Sequence, residues 1–269
     1  MIRVALKVGY IGSRYHGFQI QPDLPTVEGE LLDALKSCGC IADRIDSRFA
    51  ASGRTDRGVH ARTQVIAFDT DNYRLTVPRI INTKLPEDIW VWARSEVDPF
   101  FDPRRDALYR EYRYFLYGGS LDLNLMNEAS KLFTGEHDFS GLSKRGEESS
   151  TIRKVHKIDL KKSGDLIIFD IRADAFLWQM IRRIVGALVL IGEGERDCTW
   201  IERILGGEPA SITPAPAEGL VLNDVCYDGI TFAVDQYAYS QMKNALDGLF
   251  RQYTVFGAVV KAMGDSEPD

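Results

Sequence analysis

Asp56 lies in the run Ala51-Ser52-Gly53-Arg54-Thr55-Asp56-Arg57-Gly58-Val59-His60-Ala61, which concentrates charge in a few residues. The flanking glycines, Gly53 and Gly58, allow a tight turn and let a ligand come close to the backbone. A carboxylate held in such a loop can serve as a nucleophile. Taken alone, the run also fits an exposed turn closed by a local Arg–Asp ion pair. A second run narrows the choice: Phe176-Leu177-Trp178-Gln179-Met180-Ile181-Arg182-Arg183-Ile184-Val185-Gly186-Ala187-Leu188. As a helix it is apolar nearly all round and belongs in the interior. Arginine cannot shed its charge and needs an anionic partner there; an unpaired buried charge costs about 3–5 kcal/mol. Both arginines reaching the surface would remove the difficulty. Adjacent helical positions are about 100° apart, however, so one can reach solvent while the other points inward. An inward Arg182 facing Asp56 would stabilise and orient its negative charge, with Arg183 left to solvent or a ligand.

The elements that must position these groups follow from periodicity. Val4 to Tyr10 reads as a strand. Thr26 then caps a helix with Val27, Leu31, Ala34 and Leu35 on one face. Arg48 to Ser52 is a short strand leading into the charged loop, and Thr63 to Asp69 continues beyond it. Pro78 opens a short helix that ends before Pro86. Ile89 to Val97 alternates as a strand, and the turn-rich Asp98–Pro103 segment marks a boundary between an N-terminal α+β unit (1–105) and a C-terminal one (106–269). In the second unit Ala107 to Tyr117 is a strand that puts Leu108, Arg110, Tyr112, Tyr114 and Leu116 on one face. A helix follows over Leu123–Phe133, then a polar loop over Leu142–Ser150. Strands over Thr151–Leu160 and Asp165–Ala173, the Phe176–Ile191 helix and a strand over Leu220–Tyr227 come next. From Gln236 onward a terminal helix carries Met242, Leu246, Phe250 and Val255. Alternating helices and antiparallel-type strands predict an α+β fold.

The chain of 269 residues has 33 basic and 39 acidic side chains, a net charge of −6. The acid is concentrated late, with 13 acidic against 5 basic residues from Glu193 onward. Earlier basic groups, Arg54/Arg57/Arg62, Arg104/Arg105/Arg110/Arg113 and Arg153/Lys154/Lys157/Lys161/Lys162, would form a phosphate-binding surface if they converge. The acidic last third would then face away from it. Cys38, Cys40, Cys198 and Cys226 match neither a zinc knuckle nor a Cys-x-x-Cys redox pair, and the four scattered histidines speak against catalytic zinc. No apolar run reaches membrane-spanning length, and Phe176–Ile191 is broken by its two arginines. Reduced thiols and no leader at Met1-Ile2-Arg3 predict a cytoplasmic protein.

Taken together, these motifs closely resemble the tRNA pseudouridine synthase A family over nearly the whole chain. The Gly53–Ala61 run resembles that family's catalytic loop, in which the aspartate is the nucleophile. Tyr10-Ile11-Gly12 through Gly17-Phe18-Gln19 and Thr26-Val27-Glu28 are similar to its N-terminal signature, although Ile11 stands where an aspartate is common. Arg110-Glu111-Tyr112-Arg113-Tyr114 resembles the strand whose first tyrosine contacts the target base, which gives Tyr112. Gly135–Phe139 is also typical, and Ala173–Arg182 resembles the helix that supplies the arginine partner. Ala215–Leu220 resembles the segment whose leucine lines the pocket, and the resemblance assigns no counterpart to the chain beyond Asp235.

The resemblance implies two ferredoxin-like subdomains joined in an extended antiparallel sheet, with flanking helices and a central active-site cleft. It implies conversion of uridine to pseudouridine in tRNA at about positions 38–40 of the anticodon stem-loop, read mostly by shape, by a homodimer that cradles one tRNA. Asp56 and Arg182 would be catalytic, and Tyr112, Leu220, Arg54, Arg57 and His60 would contact substrate. Because the reaction is an isomerisation, it calls for no cofactor and no metal. A non-catalytic RNA-binding protein could share the fold, but binding alone gives no reason to keep Asp56, Tyr112 and Arg182 together.

Overall fold

The computed structural model describes residues 1–144 and 150–264. Part of the expected 142–150 loop therefore lies outside the described residues. The chain forms one mixed sheet of ten strands, in the order β10-β4-β1-β3-β9-β5-β8-β7-β6 with β2 added beside β3. The strands are β1 (Ile2–Tyr10), β2 (Ala50–Ala51), β3 (His60–Thr70), β4 (Ile89–Glu96), β5 (Ala107–Tyr117), β6 (Gly135–Asp138), β7 (Ile152–Ser163), β8 (Leu166–Ala173), β9 (Leu220–Tyr227) and β10 (Ala233–Val234). The helices are α1 (Val27–Ser37), α2 (Pro78–Ile81), α3 (Leu123–Ser130), α4 (Met180–Gly192), α5 (Cys198–Leu205) and α6 (Gln236–Gly264). Among the described residues every strand pairing is antiparallel except one: β3 meets β9 in parallel, through His60↔Val221 and Ala61↔Leu222. That junction joins the N-terminal half of the sheet to the C-terminal half, and the charged loop ends on it.

Local chemistry fixes most of these elements. Thr26 accepts from the Gly29 amide and starts α1; Asp122 accepts from the Asn124 and Leu125 amides at the start of α3. Both satisfy amides that a helix end leaves open. Alternation sorts the two faces of the sheet. Ile89 and Val91 of β4 enter the main core, whereas Trp90 and Trp92 pack with Met242 of α6 on the other side. In β5, Tyr112 and Tyr114 point into the main core. Glu111 and Arg113 point the other way and pair with Arg172 and Asp170 of β8.

Leu108 departs from the expected face: it is 54% exposed, because β5 bulges against β9 between Ala107 and Tyr109, and a bulge re-aims the extra side chain. α4 begins later than its apolar pattern does. Gln179 adopts φ +61 just before it, so Trp178–Gln179 form a turn and Phe176–Leu177 precede it as irregular chain rather than as the first helical residues.

Candidate active site

The charged loop runs from β2 to β3 and is clamped from several sides. The Ser52 hydroxyl bonds the Gln64 side chain, and the Gln64 amide donates to Gly53 O at 2.9 Å. Buried Thr55 meets the Tyr10 hydroxyl at 2.9 Å, and its carbonyl accepts from the Phe18 amide at 3.0 Å. His60 closes the far end: its Nδ1 accepts from the Gly12 amide at 3.0 Å and its Nε2 lies 3.2 Å from Glu218 O. That bonding makes it a neutral imidazole with the proton on Nε2. Burial holds its pKa below the ordinary value, outweighing the opposing pull of Glu218. Gly12 is required for this approach, since a Cβ there would stand 2.0 Å from Val59 O.

Asp56 emerges from this frame with its side chain 23% exposed and meets Arg182 of α4, Nη1 to Oδ2, at 3.0 Å. Arg182 is held in place in turn. Its Nε donates to Ala215 O at 2.6 Å, and its own carbonyl accepts from the Ala215 amide at 2.9 Å. The segment carrying Ala215 can lie this close because residue 186 is glycine; a Cβ there would be 2.3 Å from Thr213 O. Arg183 is half-buried rather than turned out into solvent. It turns onto the same segment, donating to Ile212 O at 2.8 Å and to the Gln179 side chain at 3.3 Å. Loop carbonyls, rather than a carboxylate, absorb this second charge.

Around the carboxylate, Tyr112 is buried, with its ring edge-on to Phe176 at 5.2 Å. Burial raises its phenol well above the ordinary value; Arg110 opposes this and neighbouring Asp56 adds to it. Tyr112 is therefore a neutral phenol at physiological pH. Leu220 is buried at the start of β9, opposite Tyr114, while Leu222 stands opposite Tyr112. Leu220 and Tyr112 are thus diagonal neighbours on one face. Arg54 and Arg57 are exposed, and neither has a charged partner among the described residues. The chemistry on offer is an anchored carboxylate beside a neutral phenol, an aromatic and aliphatic wall, and two free cations at the rim.

The three basic groups do not converge as expected. Arg110 is buried and gives its donors to carbonyls of Ser52, Arg104 and Asp174. Strand alternation sends it inward, where it ties the charged loop to the turn before α4. Arg113 lies on the opposite face, bound to Asp170, which also takes Lys161; Lys157 pairs with Asp159. Sequence reasoning also passed over Trp178, 43% exposed, with Lys144 Nζ 4.1 Å from its ring centre. An aromatic at the polar edge of an otherwise buried run was the available signal. Among the described residues no group of three or more His, Cys, Asp or Glu could hold a metal ion, and no helix is long and apolar enough to cross a membrane.

Comparison with known proteins bears on this arrangement. A family model described as tRNA pseudouridine synthase matches residues 129–228, from α3 to β9. The tRNA pseudouridine synthase A of Methanococcoides burtonii is 45% identical over 269 residues, 99% of this chain and 98% of its own. Its counterpart from Methanosarcina barkeri is 47% identical, covering 88% of this chain and 89% of its own. The one from Archaeoglobus fulgidus is 40% identical over 95% and 96%. Likeness at this level, over nearly the whole length of each chain, means that the chain belongs to the tRNA pseudouridine synthase A family.

Proposed function

We propose that this chain converts uridine to pseudouridine in tRNA, at about positions 38–40 of the anticodon stem-loop, with Asp56 as nucleophile. The relatives' names supply the reaction class. The observation that carries the residue assignment is the 3.0 Å contact from Arg182 to Asp56, with Arg182 itself fixed by Ala215. The reaction breaks N1–C1′, turns the base and forms C5–C1′; C5 loses a proton and N1 gains one, so the balance closes without oxidant or water. Asp56 can enter by attack on C1′, by attack on C6, or by drawing a proton from the carbon beside C1′. In each case an anionic, oriented carboxylate is what the step requires.

The target base must leave its stack, at a cost of a few kcal/mol. Tyr112 and Leu220 offset this by enclosing it, with stacking contributing about 1–3 kcal/mol. Arg57 grips a phosphate beside it, and Arg54 either grips another or fills the space the base vacates. His60, neutral and doubly bonded, holds the loop for substrate rather than reading it. The working unit is a homodimer whose subunits cradle one tRNA. In Asp56→Asn, tritium release from C5-labelled uridine in tRNA should disappear while tRNA affinity stays near normal. Substantial release by that variant would remove Asp56 from the reaction.

A further inference from the structure

Helix α6 begins as part of the fold and ends outside it. Ala238 and Met242 are buried, and Leu246 packs against the Trp90/Trp92 cluster. From Phe250 to Gly264 every residue is exposed, although Tyr253, Phe256 and Val260 are large and apolar and remain 66%, 61% and 52% exposed. An isolated helix end of this composition gains nothing from water, and helices in proteins are held mainly by packing of their apolar face.

The spacing of that face points to what covers it. Leu246, Leu249, Tyr253, Phe256, Val260 and Met263 recur at alternating steps of three and four residues, the seam of a two-helix coiled coil. The stripe is also its own mirror along the chain. Reversed about the point between Thr254 and Val255, it sets Leu249 opposite Val260 and Tyr253 opposite Phe256, and brings Met263 beside Leu246 where that residue sits on the Trp90/Trp92 cluster. On the flanks Phe250 falls beside Gly257 and Gln252 beside Val259, so a large side chain meets a space. Asp247, Arg251 and Lys261 point away from the seam, and no like charges meet. The apolar area exposed from Phe250 onward is on the order of 800 Å² per copy, the share each partner gives to a stable interface of standard size.

We propose that α6 pairs with α6 of a second copy of this chain, antiparallel, about a twofold axis passing between Thr254 and Val255. The proposal rests on the homodimer reading above and gives it an interface. Because α6 is seated on β4, the pair would join the two N-terminal halves of the sheet and leave both clefts open.

The test uses the full chain and the double substitution Phe256→Glu with Val260→Glu, two exposed positions whose change leaves the protomer's own packing intact. In light scattering at about 20 µM, a range where dimers of ordinary affinity hold, the unsubstituted protein should show twice the chain mass of 30.3 kDa and the variant half of that, with unchanged circular dichroism in the remaining helices and sheet. A variant that stays dimeric overturns the helix pairing and leaves the homodimer reading standing. An unsubstituted chain that is monomeric overturns both, and one that is monomeric but floats with lipid vesicles assigns the stripe to a lipid surface. Register is read separately: chains carrying Tyr253→Cys and Phe256→Cys should form a disulfide when mixed, above the background of the native cysteines. Efficient crosslinking of Tyr253→Cys with itself would mean a parallel pair and refute the antiparallel register.

Discussion

Replacing Arg182 by methionine separates what the ion pair does for the fold from what it does for chemistry. Methionine keeps most of the aliphatic stem, so the change is confined to two polar contacts: 3.0 Å to Asp56 and 2.6 Å to Ala215 O. Hydrogen bonds to a charged group contribute about 1.5–3 kcal/mol each. The side chains are 14% and 23% exposed, so water recovers part of this, and the net cost should be about 1–3 kcal/mol. In a chain of this size each kcal/mol lowers Tm by about 2–4 °C, which gives a drop of roughly 2–12 °C. Turnover should fall much further. A misplacement of about 1 Å costs some 10²-fold, and the removal of a preorganised charge costs about another 10- to 100-fold. Single-turnover tritium release at saturating tRNA should therefore drop by about 10³-fold or more. Melting Arg182→Met, Asp56→Asn and the double variant closes the cycle: a true pair makes the double less costly than the sum of the singles by about 0.5–3 kcal/mol. A variant within tenfold of normal turnover, or a strictly additive cycle, would refute the reasoning.

Three further outcomes are expected. His60 titrates near 6.5 when unfolded and lower when folded. The unfolded chain therefore binds the extra proton first, and stability should fall as pH drops below about 6.5 towards the folded value; His60→Phe should flatten that part of the Tm–pH curve, and an unchanged slope would discount the link to Gly12. Neutralising Arg54 and Arg57 should reduce the log–log salt slope of tRNA binding by about 0.7–0.9 for each phosphate they neutralise, whereas neutralising Arg113 and Lys161 should leave it unaltered; the reverse pattern would place RNA on the other face. Gly186→Ala must displace Thr213, whose carbonyl lies 2.3 Å from the new Cβ. It should cost about 1–3 kcal/mol in thermal or chemical unfolding, and a neutral result would mean that the Ala215 segment is free to move aside.

How far the sequence could be read depended on whether a residue's neighbours in the chain were also its neighbours in space. β5 and β9 end where their alternation ends, at Tyr117 and at Tyr227. The Asp56–Arg182 contact bridges 126 residues; an arginine in an apolar helix needs an anion, and among 39 acidic residues it was the resemblance of the Gly53–Ala61 and Ala173–Arg182 runs to the family's loop and helix that pointed to this one. Arg183 defied the same logic because carbonyls satisfy it, and carbonyls leave no trace in a sequence. β10, two residues long, and β6, polar and at the sheet edge, carry too little pattern to detect. α5 does leave a signal: Asp197 accepts from the Trp200 amide, an N-cap written in the residue types. The order of strands was beyond periodicity, since β9 enters between β3 and β5 by partners distant in the chain.

That insertion of β9 sets when the site comes into being. His60 and Val221 pair across 160 intervening residues, and closing a loop of that length costs about 4–5 kcal/mol in chain entropy before any contact offsets it. Only two residue pairs secure the parallel join, and with that entropy to offset it is expected to follow the hairpins of each half. The charged loop and the wall carrying Leu220 sit on opposite sides of that join. A nascent chain emerging from the ribosome therefore carries Asp56 long before the wall that holds Leu220 can stand beside it, because β9 must first be made and threaded between β3 and β5.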